Sequence, residues 1–324
     1  MQHHRTFIIG SPRSGTTWVA KLFDAHPWVV YRHEPDSAFP EGSIPGLVDR
    51  EDTGRYLDAA GRYVDGLFDI STVKTNATRV RFPKDYRSGA TESLRLLLFL
   101  ALRGTEQVAP LTKLVRRVKI PDLIPRERSG RVHQVCKSVI AGGRAGLYAR
   151  ARPDIRFILV LRHPAGVVAS EMRGKSLGKM PGVAPIEALA ATPGAIDRGL
   201  TMQYFSEADD LETLTWWWIL FNEKMILDTK GLDNCLLVNY DAMCAAPAAA
   251  LQTMYAHAGI EISDRVSEFL QKSTSGDITG GEYFSLFRNP EEASNRWRSE
   301  LSEEQIDRIR TITETTIPGS HFVG

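Results

Sequence analysis

Cysteine is scarce in this 324-residue chain: there are three, Cys136, Cys235 and Cys244. They lack the spacing of a metal-ligand set or a disulfide framework, and two lie inside apolar runs, so they are expected to be reduced core residues. Long apolar runs are also missing. The longest, Leu94 to Leu102 broken by Arg95, is too short to cross a bilayer. Neither sign of charge is in excess: the formal net charge is +1, which gives no general attraction to nucleic acid or acidic membranes. There is no internal repeat and no low-complexity tract. The first strand is expected near residue 5, which leaves no room for an apolar leader, and a cytoplasmic enzyme is the expectation. Asn76-Ala77-Thr78 matches a glycosylation sequon and is read as coincidence. At 43% hydrophobic and 24% charged, residues 1–324 suit one large domain.

What is present begins at residue 5. Arg5 to Ile9 is a short β-branched run, and Thr16 to Phe23 places Trp18/Leu22 and Val19/Phe23 at helical i,i+4 spacing. Between them, Gly10-Ser11-Pro12-Arg13-Ser14-Gly15-Thr16-Thr17 keeps the spacing of a phosphate-cradling loop, with Thr16 where a nucleotide triphosphatase carries lysine. Glycines permit the tight backbone, and free amides at the helix start attract an anion. Thr16 and Thr17 add hydroxyls and Arg13 a forked cation. The loop is therefore expected to hold phosphate without serving a transferable γ-phosphate.

Val132 to Cys136, Arg156 to Leu161 and Cys235 to Asn239 read as further strands, each followed by a helix-compatible segment. Such βα repetition implies an α/β fold with a mostly parallel central sheet flanked by helices, and ligands at the carboxyl ends of the strands. Residues 36–130 interrupt the pattern with Arg-rich, partly helical sequence, expected to be a helical insertion contributing to an acceptor site. The strand Arg156 to Leu161 ends in Arg162, and Pro164 suits the first turn of a helix that carries Ser170. Arg162 and Ser170 together can grip a second phosphate; the alternative is an arginine paired with a surface carboxylate.

Together these segments resemble the sulfotransferases that use 3′-phosphoadenosine 5′-phosphosulfate. Pro12-Arg13-Ser14-Gly15-Thr16-Thr17-Trp18 matches that family's P-[KR]-[SA]-G-T-[TS]-[WL] loop for the 5′-phosphosulfate, and Arg162 with Ser170 matches its 3′-phosphate pair. The resemblance implies a P-loop-like sulfotransferase fold, a metal-independent transfer to a small-molecule, carbohydrate, lipid or peptide hydroxyl or amine, and adenosine 3′,5′-bisphosphate as product. In the cytosolic branch a histidine follows a strand-end lysine by two residues, but Lys137-Ser138-Val139 places valine there. The stretch Asp24-Ala25-His26-Pro27 through His33-Glu34-Pro35 is instead similar to the tyrosylprotein and bacterial branch, which makes Glu34 the candidate base. His33 is the alternative; it points to the opposite face if the stretch is extended, and its ordinary pKa suits the task. Lys137, with Arg13, is implied to stabilise charge on the leaving oxygen, and Tyr240 is a further nucleotide-binding candidate.

Two segments remain. In Thr215-Trp216-Trp217-Trp218, Trp218 joins Leu211, Leu214, Phe221 and Met225 in a core stripe, which leaves Trp216 and Trp217 to line an acceptor pocket or meet a partner. Ser275-Gly276 through Gly280-Gly281 to Arg288 is a basic, glycine-bearing segment, and Arg288 is a candidate nucleotide contact by resemblance. Ser302 and Gln305 form a capping box for a final structural helix. Two other classes stay open: a catalytically silent adenosine-bisphosphate-binding scaffold, and a kinase on the same scaffold.

Overall fold

The computed structural model describes residues 5–76, 80–105, 118–178, 186–275 and 289–322. Arg288 and the glycine-bearing stretch around it lie outside these, as do Ala77 and Thr78 of the sequon.

Five parallel strands, β1 (Arg5–Gly10), β2 (Val29–His33), β3 (His133–Ser138), β4 (Arg156–Leu161) and β5 (Cys235–Asn239), lie in the order β2-β3-β1-β4-β5. Parallel pairing buries both faces, which is why β1 and β4 read as near-continuous apolar runs. Residues of alternating parity feed two cores. Ile8, Ile158 and Val135 pack with Trp18, Leu22 and Phe23 of α1 (Thr16–Asp24) on one face. Phe7, Ile9, Phe157 and Leu159 pack on the other with Tyr148, and with Val64 and Leu67 of α3 (Thr53–Asp69).

The fold is the α/β class expected, with two shifts of detail. The third strand runs from His133 to Ser138, so Lys137 lies inside it and not at its end. β2 is five residues containing a buried arginine, and its short VVYRH pattern carries little strand signal. Between β2 and β3 the described chain carries helices α2 (Pro35–Ala38), α3, α4 (Val73–Asn76) and α5 (Gly89–Thr105) joined by irregular stretches.

The helix Asp210–Thr229 corrects the reading of the tryptophans. Leu211, Leu214, Trp218 and Met225 are buried as the stripe requires, but Trp217 is buried too, and Trp216 donates its indole N–H to Tyr204 Oη at 2.9 Å. The helix is enclosed on most sides, so Trp217 packs in the core with Phe221.

The sheet order places the ligand crevice. Chain leaving β1 turns towards β2, whereas chain leaving β4 turns towards β5, so the carboxyl ends of β1 and β4 part at a topological switch point. Gly10 pairs with Val160 there, which sets the loop after β1 beside Arg162.

Candidate active site

The loop after β1 is built by close backbone approach. A Cβ on Gly10 would fall 2.6 Å from Ser14 Oγ and 2.7 Å from Val160 O. Gly15 adopts φ 89° as the N-cap of α1, and a Cβ there would overlap the Tyr240 ring. Only glycine meets both demands. Tyr240 is buried, stands edge-on to Trp18, and has the Arg162 guanidinium 5.2 Å from its ring centroid. It therefore backs the loop from beneath.

The loop's side chains divide by direction. Ser14 Oγ donates to Ser11 O at 2.6 Å and Trp18 Nε1 donates to Ser273 Oγ at 3.1 Å; both side chains are buried and tie the loop to the core. Pro12, Arg13 and Thr17 are partly exposed, and Thr16 is buried. Intrahelical bonds begin with the amides of Trp18 and Val19 to Gly15 O, so the amides of Thr16 and Thr17 project from the helix start, as an anion site needs.

Arg13, Arg162 and Ser170 come together from three elements. Arg13 Nε donates to Ser170 Oγ at 2.8 Å, and Arg162 Nη1 donates to Arg13 O at 3.0 Å. Arg162 Nη2 donates to Ala293 O at 2.8 Å, while its Nε is buried without a hydrogen-bond partner among the described residues. Gly166 makes room for this guanidinium, since a Cβ there would lie 3.0 Å from Nε. His163, beside it, caps its own helix through Nδ1 and stacks on Trp297 at 4.6 Å. Burial, with Arg298 and Arg162 nearby, lowers its pKa to about 4.

A second cluster forms where β2 and β3 run side by side. His33 pairs with Lys137 in register, and the Glu34 amide donates to Lys137 O at 2.8 Å. Glu34 then turns into the left-handed region at φ 45° and ψ 55°, and its Oε1 meets Lys137 Nζ at 2.5 Å. Its carboxylate also lies 3.7 Å from His33 Nε2. The opposite-face expectation for His33 and Glu34 is thus overturned: the strand ends at His33, and the left-handed turn swings Glu34 back beside it. Arg13 and Glu34 are two of the three non-glycine residues with positive φ among those described, the other being Leu123. Such strain concentrates at functional sites.

Electrostatics set the protonation states. Burial pushes the Glu34 carboxyl up, but Lys137 and then His33 pull it further down, leaving it below its ordinary value. Burial pushes Lys137 down, against the attraction of Glu34. Burial, then Lys137, lowers His33 to about 4, so its imidazole is neutral at pH 7. Tyr31 Oη and His33 Nδ1 share a hydrogen bond of 2.9 Å.

Sequence reasoning missed three groups here. Ser138 donates to the buried Asp36, and burial raises the Asp36 pKa. Glu171, next to Ser170, is a buried carboxyl raised by burial despite the nearby Arg13. A serine directly after Lys137 was the signal available for the first; nothing in sequence marks the others. Among the described residues no cluster has the make-up of a metal site. No helix among them is long and apolar enough to cross a membrane.

No curated protein matches the chain. Solved structures that are similar include the sulfotransferase domain from the curacin biosynthetic pathway, 16% identical with 96% of this chain and 97% of that one covered and a TM-score of 0.44. A sulfotransferase from Alicyclobacillus acidocaldarius is 12% identical, with coverage of 96% and 91% and a TM-score of 0.42. A mouse sulfotransferase complexed with PAP is 11% identical, with coverage of 100% and 90% and a TM-score of 0.45. The model of the Sulfotransferase family matches residues 6–264. That match takes in the loop after β1, the Lys137–Glu34 pair, and Arg162 with Ser170, and the chain belongs to the Sulfotransferase family.

Proposed function

We propose that this sulfotransferase takes its sulfuryl group from 3′-phosphoadenosine 5′-phosphosulfate and passes it to a hydroxyl or amine acceptor. The observation that carries the reading is the meeting of Arg13, Arg162 and Ser170 beside the α1 amides, with Lys137 and Glu34 on the adjacent strands. A donor with two separated phosphates needs two donor clusters. The amides of Thr16 and Thr17 with Arg13 supply one. Arg162, whose buried Nε lacks a hydrogen-bond partner among the described residues, and Ser170 supply the other. When bound, the donor provides a sulfuryl group already activated on a phosphate oxygen.

The chain's own residues do the remaining work. Lys137 and Arg13 place fixed positive charge where the leaving oxygen becomes negative, which favours the transition state over the ground state. Glu34 is held as a carboxylate by Lys137 and receives the acceptor's proton. A carboxylate of low pKa serves when the proton moves as the new S–O bond forms, because the hydroxyl acidifies along the way. Neutral His33, beside Glu34, is the alternative acceptor of that proton. Ser14 and Trp18 position the loop from within, and Tyr240 supports it from below. The helices between β2 and β3 supply the acceptor side.

The test is equilibrium binding of adenosine 3′,5′-bisphosphate against adenosine 5′-monophosphate. The second phosphate should strengthen binding by roughly 10–100-fold, the worth of one or two charge-assisted hydrogen bonds. Equal affinities would sink the assignment of Arg162 and Ser170. Transfer of labelled sulfate from the donor to members of an acceptor panel tests the reaction itself.

A further inference from the structure

Beside the proposed transfer site, between β2, α4, α5 and residues 81–87, lies a cavity of about 70 Å³. Five cationic side chains line it, Arg32, Arg81, Lys84, Arg87 and Arg95, against two carboxylates, Asp24 and Glu92. Asp122 behind them pairs with both Arg32 and Arg95, and Lys21 adds another cation through its bond to Asp24. Positive charge is in surplus in a largely buried place. Arg32 is 2% exposed, and its Nε has no hydrogen-bond partner among the described residues. Exposed Arg81 has no ion pair among the described residues; its guanidinium lies 3.9 Å from the Phe99 ring centroid. Burial and neighbouring cations hold Arg81, Lys84 and Arg95 below their ordinary pKa values, Lys84 doing so even against Asp24. Each buried cation has a carboxylate partner, but Asp24 serves both Lys21 and Lys84, Asp122 serves both Arg32 and Arg95, and Glu92 serves Arg87, so among the described residues cations outnumber carboxylates, and such a surplus suits an anion supplied from outside.

The cavity has room for several waters or one compact oxyanion. Its wall on the β2 side includes Tyr31, whose hydroxyl bonds His33 Nδ1 at 2.9 Å. His33 is in turn 3.7 Å from Glu34. A group held in the cavity is therefore one side chain away from the residues proposed to receive the acceptor's proton.

We infer that this cavity binds a compact anionic group, a carboxylate or a phosphate, carried by the acceptor, with Arg32 and Arg87 inside and Arg81 at its exposed edge. The inference rests on the sulfotransferase reading for the word acceptor, but the binding of the anion does not.

The experiment has two arms. Acetate and inorganic phosphate are titrated calorimetrically into the wild type with the donor site filled by adenosine 3′,5′-bisphosphate, and into the Arg81→Gln and Arg32→Lys variants. Saturable binding of either anion, weakened about tenfold or more in both variants with bisphosphate affinity unchanged, supports the cavity; the two probes separate carboxylate from phosphate. Absent or unaltered binding overturns it. In the second arm 4-hydroxybenzoate, 4-nitrophenol-sized neutral phenols and the methyl ester of 4-hydroxybenzoate are compared as acceptors. A preference for the carboxylate that disappears in Arg81→Gln supports the acceptor assignment, and equal use of acid and ester overturns it. Anion binding that depends on Arg81 without bisphosphate binding would leave the cavity standing and bring down the donor reading. Bisphosphate binding and transfer to neutral phenols without anion binding would do the reverse.

Discussion

Arg13 and Ser170 stand 157 positions apart in sequence, yet Arg13 Nε donates to Ser170 Oγ at 2.8 Å. The bond joins the loop after β1 to the helix after β4, across the point where the sheet's connections diverge. The two motifs proposed to hold the donor's phosphates are thus in direct contact without any ligand.

Arg162→Ala should weaken binding of adenosine 3′,5′-bisphosphate by at least tenfold and raise the donor KM, because it removes the buried Nε and the support of Arg13 O. Ser170→Ala should cost several-fold less. Calorimetric titration reads both, and an unchanged Kd for Arg162→Ala would exclude a 3′-phosphate role.

Glu34→Gln should lower kcat by about 10²–10⁴-fold, the range for loss of a general base, with donor affinity nearly unchanged. His33→Gln should be milder. If the order is reversed, the proton goes to the imidazole. The pH profile does not separate them, because His33 is lowered to about 4 and loses its free imidazole in the same acid range. Glu34 has a depressed pKa, so activity that depends on its carboxylate is lost only as pH falls below the ordinary glutamate range.

Gly15→Ala should destabilise the fold and abolish bisphosphate binding, since it meets both a left-handed backbone and the Tyr240 ring. In a double-mutant cycle, Tyr240→Ala should recover part of the stability loss, and strict additivity in urea melts would show that the ring is not the obstacle.

His26, His33 and His163 are each lowered to about 4, with burial the first cause in all three. For a histidine whose folded pKa is depressed, the unfolded chain binds more protons between the two values. Stability is then intact above the ordinary value of 6.5 and is lost as pH falls from there towards 4. Thermal melts should show Tm dropping by roughly 5 °C or more across that window. A flat Tm would mean that the imidazoles are solvated.

Trp217→Ala should cost about 3–5 kcal/mol in urea unfolding, as for a large buried side chain. Acceptor preference should not change. A selective change in acceptor use at full stability would restore this ring to a pocket role.

What was legible in the sequence followed from local rules. The loop after β1 and the strand before Arg162 announce themselves because glycine spacing and buried-strand runs are contiguous. β2 was hidden, since Arg32 interrupts an apolar run and is tolerated only through Asp122, 90 positions away. The closeness of His33 and Glu34 was hidden by a single left-handed residue, which no periodicity encodes. The burial of Trp217 was not legible because a helix enclosed on most sides has no polar face to show which way it points. The cationic cavity draws on residues from 24 to 99 whose convergence depends on how the helices between β2 and β3 fold back.

The central place of β1 has a consequence for synthesis. Its two neighbours are β3 and β4, which begin at His133 and Arg156. At about 5–20 residues per second, roughly ten to thirty seconds separate translation of β1 from that of the second strand that flanks it. For most of that interval an apolar strand with two open edges waits in the nascent chain, and the loop after it waits for Arg162 and Ser170 to be made. Such a strand invites pairing with other chains. The arrangement that brings Arg13 to Ser170 in the finished protein thus leaves an unpaired apolar strand in the unfinished one.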